Sequence, residues 1–341
     1  MPLRNFFFFS FPAECALWAL YALSALIVGC SGDGMSGGTS VGPDGGRITV
    51  MTYNTQTFFD AVEDGTEFAE FIGTKSLWTP EKYEARLDRL REVILLCGGE
   101  AGLEADRGPD IVVLEEIENE RVLRDLCNRF PRHGAYANAV FVPPDEGSAF
   151  GSAILTRYPI ESLSVHSIAC TDAVLRPLLE VRLTAGSTSL VVFAVHWKSK
   201  AGDDDTGEIR LLQEELLRDR IALLEAMDSG IQYIACGDFN QKLDEFTLMD
   251  GIPNCWDGWI ERCTAGTEDG PAGSYNYREN WETIDHFFCS PGLFDGDGAE
   301  FSNFSVISEA PLMTAESLPF RYELFNGQGY SDHLPLVLVL E

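Results

Sequence analysis

The chain has 341 residues, 45% of them hydrophobic, and 54 Asp and Glu against 24 Lys and Arg give a formal net charge of −30. That much apolar sequence supports a large buried core in one domain or two and excludes disorder as the default state. The acidic balance excludes non-specific attraction to polyphosphates and to anionic membrane surfaces, so any phosphate-bearing substrate needs local cations.

Residues 1–29, "MPLRNFFFFSFPAECALWALYALSALIVG", set Arg4 ahead of a long apolar stretch, the layout of an export signal. Its end, "LIVGC" running into Ser31 and Gly32, resembles the lipobox of bacterial lipoproteins, with Pro12 and Glu14 departing from the usual pattern. The resemblance implies cleavage before Cys30, lipidation of Cys30, and an outer-membrane or periplasmic location; the alternative is an uncleaved N-terminal anchor, which also places the body outside the cytoplasm. Residues 30–47 are Gly/Ser-rich and aperiodic, as a flexible tether requires. Nine cysteines contain no C-x-x-C pair, which argues against clustered zinc ligation. Cys255 and Cys263 bracket "WDGWIER", either as a short disulfide loop in an exported protein or as small buried hydrophobes.

From Ile48 onward, strand-like apolar runs alternate with helical ones. "RITVMTYNT" reads as a strand and "TPEKYEARLDRLREVILLCGG" as a helix, with Thr79 as N-cap, Pro80 at the first position, Tyr83, Leu87, Leu90 and Ile94 on one face, and Gly98-Gly99 as the stop. "PDIVVLEEI" is a buried strand and "ERVLRDLCNRF" a short helix; "GSAILTRYPI" is a strand ended by Pro159. "RPLLEVRLTAGSTSLVVFAVHWKS" reads as a hairpin, "EIRLLQEELLRDRIALLEAM" as the longest helix, and "QYIACGDFN", "WETIDHFFCS", "FSNFSVIS" and "LPLVLVLE" as strands. Helices mixed with hairpins and crossovers predict an α/β or α+β body over 48–341 with two packed sheets.

Polar and ionisable residues recur at the carboxyl ends of these strands: Asn54, Glu116, His196, Asp238 and Asn240, with Asp285 and His286 inside "TIDHFF" and Asp332 and His333 just before the last strand. Each alone has a bland reading, as a turn residue, an Asx-turn or a satisfied buried histidine. Several buried carboxylates at strand ends, each of which needs a partner or a metal, instead suggest one shared cleft. Hard oxygen ligands suit Mg²⁺, Mn²⁺ or Ca²⁺ better than Zn²⁺, and Asn54, Glu116 and Asp332 form a candidate set. An ion there would polarise a phosphoryl oxygen. His333 would be oriented by Asp285, since Asp332 points the other way in an extended segment. Asp238 would activate a water and Asn240 bind a phosphate oxygen, while Arg176, Lys198 and Lys200 are the candidate local cations. The ensemble reads as hydrolysis of a phosphate ester.

"MTYNTQTFFD", "PDIVVLEEIEN", "GSAILTRYP", "LRPLLEV", "VHWKSK", "GDFN", "TIDHFF" and "SDHLPL" resemble, in order over residues 48–341, the endonuclease/exonuclease/phosphatase superfamily. That superfamily includes deoxyribonuclease I, abasic-site endonucleases, inositol-phosphate phosphatases and bacterial sphingomyelinases. The resemblance implies a four-layer α-β-β-α sandwich of two mixed sheets, with Mg²⁺ or Mn²⁺ as cofactor. It also implies roles: Asn54 and Glu116 as the metal pair with Asp332 near the ion, His333 on the scissile phosphate, Asp285 orienting it, and Asp238 and Asn240 as the water-activating and phosphate-binding pair. His196 in "VHWKS" fits the branch with two catalytic histidines. The superfamily shares its metal chemistry across many substrates, so resemblance does not choose among them. The expectation is a monomeric nuclease, held to a membrane by its N-terminal lipid and acting on nucleic acid or another phosphodiester. The alternatives are a sphingomyelinase-type phospholipase, for which "WDGWIERC" is the aromatic candidate to enter a bilayer although a buried turn is its favoured reading; an inositol or nucleotide phosphatase; and an inactive surface binding module.

Overall fold

A computed structural model describes residues 26–29, 46–73, 75–131, 135–144, 148–170, 173–200, 206–248, 251–264 and 270–341, with backbone only at 26–29, 261, 263 and 264. Cys30, most of the expected signal segment and nearly all of the expected tether lie outside the described residues.

The first half of the body runs β2 (Ile48–Phe58), α1 (Pro80–Glu100), β3 (Ile111–Ile117), α2 (Glu120–Cys127), β4 (Asn138–Val142) and β5 (Gly151–Thr156), preceded by β1 (Leu26–Gly29). The second half runs β6 (Ile160–His166), β7 (Leu178–Ala185), β8 (Thr188–His196), α3 (Gly207–Met227), β9 (Gln232–Asp238), β10 (Trp256–Asp257) and α4 (Gly258–Thr264). After these come β11 (Tyr275–Tyr277), β12 (Asn280–Glu282), β13 (Asp285–Cys289), β14 (Phe301–Val306) and β15 (Leu336–Leu340).

These strands build a seven-stranded sheet in the order β1-β4-β5-β3-β2-β15-β14 and a six-stranded sheet in the order β10-β13-β9-β8-β7-β6. Strands buried on both faces read as continuous apolar runs. In β3 and β9 that is why "IVVL" and "YIAC" lack alternation: each strand sends every second residue to the opposite sheet and the others to a helix. Val50, Val113, Leu338, Leu179, Val192 and Ile234 form the inter-sheet core. Met51, Val112, Leu114, Leu87 and Ile94 fill the layer under α1, while Phe193, Tyr233, Leu217 and Ile221 fill the layer under α3. The result is the four-layer α-β-β-α sandwich that the motifs imply. No helix among the described residues is long and apolar enough to cross a membrane.

Helix α1 starts as the sequence predicts, with Thr79 Oγ1 accepting from Lys82 N at 3.3 Å and Pro80 opening the first turn. The expected stop is different. Helical backbone continues through Gly98 and Gly99 to Glu100, and a Cβ at Gly98 would lie 2.0 Å from Arg107 O, so this glycine admits the returning chain rather than ending the helix. Strand β4 has no counterpart among the expected elements, because "NAVFV" is too short to show a period. "WDGWIERC" is also no exposed hairpin. Trp256 packs on Phe301 with centroids 4.3 Å apart, Trp259 is 6% exposed and donates Nε1 to Asp285 O at 2.8 Å, and α4 carries the rest. Cys255 is a free thiol 3.4 Å from Tyr233 Oη, so it makes no disulfide; the side chain of Cys263 is outside the described residues.

Each sheet contains one parallel pair joined by a helix, β2-α1-β3 in the first and β8-α3-β9 in the second. Ligand sites in such units form beyond the carboxyl ends of the strands. Here the carboxyl ends of both units meet, with Asn54 Nδ2 of one sheet donating to Asp238 Oδ2 of the other at 3.0 Å.

Candidate active site

Strand register lines up half of the site. In the second sheet, His196 pairs with Asp238 and Asp238 with Asp285, so three ionisable residues from β8, β9 and β13 lie in one row. In the first sheet Asn54 pairs with Glu115, and the β2-β3 ladder breaks just beyond, between Asn54 and Phe58. A second irregularity, between Glu115 and Ile117, bulges β3 at Glu116. Bulges re-aim side chains next to functional sites. Gln56, Thr57, Glu116 and Asn240 all adopt left-handed backbone, with φ of 55°, 50°, 61° and 50°. As a result Thr57 N donates to Glu116 Oε2 across the break, and Asn54 Nδ2 lies 3.4 Å from Glu116 Oε1.

His333 enters from the segment before β15. Its Nδ1 is 2.9 Å from Asp285 Oδ2, which also accepts from Ser274 Oγ at 2.5 Å, and its Nε2 is 4.0 Å from Asp238 Oδ2. Asp238, Asp285 and His333 each offer a ligand atom within 4.8 Å of the others. His196 Nε2 is 3.9 Å from Asp238 Oδ2 on another side, and its buried Nδ1 has no hydrogen-bond partner among the described residues. Asn240 donates its backbone N–H to Asp238 Oδ1 at 2.8 Å and one amide hydrogen to Trp197 O at 3.2 Å.

Burial and like charge separate the titrations. Asp238 is pushed up to about 7 by burial and by the Asp285 carboxylate, against the opposing pull of His333, the Asn240 N–H and the Asn54 amide. Burial pulls His333 down, but Asp285, through both charge and hydrogen bond, holds it well above the ordinary histidine range, with Asp238 and Asp332 adding to the effect. His196 goes the opposite way: burial and the nearby Arg176 and His333 charges keep it neutral. The site therefore holds one protonated and one neutral imidazole around a carboxylate poised near neutrality.

The structure does not gather every expected residue equally. No hydrogen bond or ion pair among the described residues joins Asp332 to Asn54 or Glu116; it is half-buried, and its charge acts on Tyr53, Tyr275 and His333. Arg176 is within electrostatic reach of Glu116 and Asp238, with its buried Nε lacking a hydrogen-bond partner among the described residues. Lys198 is half-buried and in no ion pair among the described residues; its backbone N–H donates to Gln213 Oε1 at 2.8 Å. Lys200 is paired to Glu245 at 2.5 Å. His286, the neighbour of Asp285, is held by Asp257 at 2.9 Å and Gln241 O at 2.8 Å and is structural.

Three contributors escape sequence reasoning. Arg86 of α1, 2% exposed, donates to the carbonyls of Thr55, Gln56 and Thr57 and so holds the bulge that carries the site. Glu115 is fully buried between the sheets with Oε1 accepting from Thr52 Oγ1 at 3.0 Å and Oε2 without a hydrogen-bond partner among the described residues; burial, then Asp285, drives its carboxyl well above the usual range. The adjacent "EE" in an apolar strand is the signal, since neighbours in a strand face opposite ways. Tyr275, on the β11-β12 hairpin, lies over His333 with ring centroids 4.6 Å apart.

A search of curated proteins finds no match. Among solved structures, truncated TDP2 of Caenorhabditis elegans is similar with a TM-score of 0.56 at 16% identity, covering 86% of this chain and 97% of that one. TDP2 of D. rerio complexed with single-strand DNA product gives 0.54 at 15%, covering 86% and 99%. Sphingomyelinase C from Streptomyces griseocarneus gives 0.52 at 19%, also covering 86% and 99%. At these identities the likeness shows the shared sandwich fold. A model of the endonuclease/exonuclease/phosphatase family matches residues 49–341, every strand-end residue of the cleft included, and the chain belongs to that family.

Proposed function

We propose that this protein is a divalent-metal-dependent phosphodiesterase acting on nucleic acid. The observation that supports it most directly is the convergence of Asn54, Glu116, Asp238, Asp285, His196 and His333 from both sheets into one cleft. Carboxylates outnumber cations there, so a phosphate cannot approach without further positive charge. The oxygen donors present, with no thiolate among them, fit a hard cation such as Mg²⁺ or Mn²⁺. Asn54 and Glu116 would hold it, with Asp332 contributing charge at longer range. Bound there, the ion supplies Lewis-acid polarisation of a phosphoryl oxygen and charge stabilisation of the transition state.

The chain's own groups do the rest. Asp238 takes the proton of the attacking water as the water oxygen bonds phosphorus and the ester P–O bond breaks. Protonated His333 donates from Nε2 to a non-bridging oxygen, its ring fixed by Asp285. Asn240 and Arg176 add donors to the phosphate, and neutral His196 orients around Asp238.

Nucleic acid is favoured by the hairpin beside His333. Tyr277 is 50% exposed at its tip, with the Arg278 guanidinium 4.9 Å from its ring centroid, and Tyr275 covers the histidine. Exposed aromatics with arginine suit stacking of unpaired bases. The single-strand DNA product bound to D. rerio TDP2 is consistent with such a substrate. A phospholipase reading loses its candidate insertion element, since Trp259 is buried and Trp256 is half-buried against Phe301. The complete residue set argues against an inactive binding module. In the same reading the protein is a monomer anchored outside the cytoplasm through Cys30, so that cleavage before Cys30 removes β1 from the edge of the first sheet; light scattering and palmitate labelling of wild type against Cys30→Ser test it.

The decisive experiment is turnover of bis-p-nitrophenyl phosphate with Mg²⁺ or Mn²⁺, then of single-stranded DNA, plasmid DNA, RNA, sphingomyelin and inositol phosphates. Activity abolished by EDTA and by His333→Ala, with DNA or RNA preferred, is expected. Turnover that survives EDTA, or that matches wild type in His333→Ala, refutes the mechanism; preference for sphingomyelin or inositol phosphate refutes the substrate.

A further inference from the structure

A second group of carboxylates lies outside the cleft. Glu118, in the turn between β3 and α2, is 5% exposed. Its Oε2 accepts from Asp60 N at 2.6 Å, while its Oε1 is buried and has no hydrogen-bond partner among the described residues. One carboxylate oxygen each of Asp64, Glu67 and Glu118 lies within 4.8 Å of the other two. Among the described residues no Lys or Arg forms an ion pair with any of them. Arg121, the cation of this region, is held by Asp60 at 2.5 Å.

The arrangement is graded from solvent inward. Asp64 is exposed, Glu67 half-buried and Glu118 buried. Asp64 Oδ1 accepts from Thr66 N and Oγ1 at 3.3 and 2.9 Å, which leaves Oδ2 unbonded among the described residues. Glu67 takes the N–H of Asp64 and of Gly65 at 2.7 and 2.8 Å, one on each oxygen, and each oxygen keeps a lone pair. Asp60, by contrast, accepts from Val62 N on Oδ1 and from Asn119 Nδ2 and Arg121 Nη1 on Oδ2, so its charge is already offset by a cation.

Three acidic groups this close, one of them buried, repel one another when ionised, and either a proton on Glu118 or a cation between them relieves the repulsion. We propose that Asp64, Glu67 and Glu118 bind a calcium ion, separate from the ion that Asn54 and Glu116 would hold. Calcium fits better than magnesium, because it accepts carboxylates from an irregular connection and completes its six to eight ligands with water at the open side. The ion would fasten the 59–78 connection, with its small core of Phe59, Phe71 and Phe150, to the turn two residues beyond Glu116.

Tb³⁺ luminescence tests this on the full chain after EDTA treatment. Trp78 donates Nε1 to Asp60 O, whose own N–H holds Glu118, so an indole stands beside the group to sensitise the ion. The expected result is a sensitised Tb³⁺ site from which CaCl₂ displaces the ion, and a melting temperature that rises with CaCl₂. Asp64→Asn keeps the acceptor for Thr66 on an exposed side chain and Glu118→Gln keeps the shape of a buried one; each should weaken Ca²⁺ affinity by on the order of tenfold or more. Glu116→Gln should leave that affinity unchanged. Absence of a Ca²⁺-displaceable signal in wild type, unchanged affinity in Asp64→Asn, or loss confined to Glu116→Gln overturns the site. Displacement by Mg²⁺ at lower concentration than Ca²⁺ overturns the choice of ion.

Discussion

The sharpest question about the cleft is which carboxylate serves His333, the one next to it in sequence or the one across the sandwich. Asp285 Oδ2 is 2.9 Å from Nδ1, and the two side chains are only 4% and 7% exposed. Asp332 makes no bond to the ring. Replacing Asp285 by Asn preserves shape and the bond from Ser274 but removes the charge that holds the imidazolium. A hydrogen bond to a charged group in such surroundings contributes about 1.5–3 kcal/mol. At about 1.36 kcal/mol per tenfold in rate, Asp285→Asn should lower kcat roughly 10- to 150-fold with little change in KM. Asp332→Asn removes only a long-range charge, worth about 0.2–1 kcal/mol, and should cost less than about fivefold. Steady-state kinetics on bis-p-nitrophenyl phosphate measure both, and ¹⁵N NMR of His333 reports whether its raised pKa falls in Asp285→Asn. Equal losses in the two variants, or wild-type kcat in Asp285→Asn, would refute the pairing as the working arrangement.

Stability should follow pH through His286, which is fully buried and, despite burial, raised by Asp257. Because its folded pKa is raised, the stabilisation is complete below about pH 6.5, the unfolded value, and is lost as pH rises through the folded one. Asp257→Asn should destabilise by on the order of 3 kcal/mol at low pH and flatten that decline in urea unfolding. A variant curve parallel to wild type would exclude the pair as its source. Gly237→Ala should destabilise by on the order of 3 kcal/mol, since φ is 136° and a Cβ would meet Val195 O at 1.9 Å; the urea midpoint should fall at constant slope. Arg86→Leu should lose activity before it loses the fold, because three carbonyls of the bulge lose their donor; circular dichroism unchanged alongside a kcat lowered at least about tenfold is the expected pair of results.

The strand-end residues were legible because an apolar run tolerates a carboxylate or imidazole only where it finds a partner, and the runs around Asn54, His196, Asp238 and Asp285 are unbroken. Asp285 could be preferred to Asp332 because side chains alternate in extended chain. What could not be read is anything depending on distance across the sandwich. Glu115 differs from Glu116 in nothing but strand parity, yet it is the one buried between the sheets. Arg86 is one of several charges on α1, and nothing local says that it reaches three carbonyls of β2. Asp332 was grouped with Asn54 and Glu116 by role alone, and the fold leaves it without a bond to either. Gly98 was given the ordinary meaning of a helix stop when its function is to let Arg107 approach.

The left-handed residues around the cleft have a further consequence. Non-glycine residues in that region cost of order 1 kcal/mol or more each, and four of them, Gln56, Thr57, Glu116 and Asn240, are concentrated where catalysis is expected. Relaxing them, by glycine at any of the four or by asparagine at Gln56, Thr57 or Glu116, is the cheapest route to a hardier protein, and it runs directly through the parts that aim Glu116 and Asn240. Selection for heat tolerance alone would therefore blunt this enzyme, and a robust variant is better sought by substitutions away from the cleft than by tidying the backbone there.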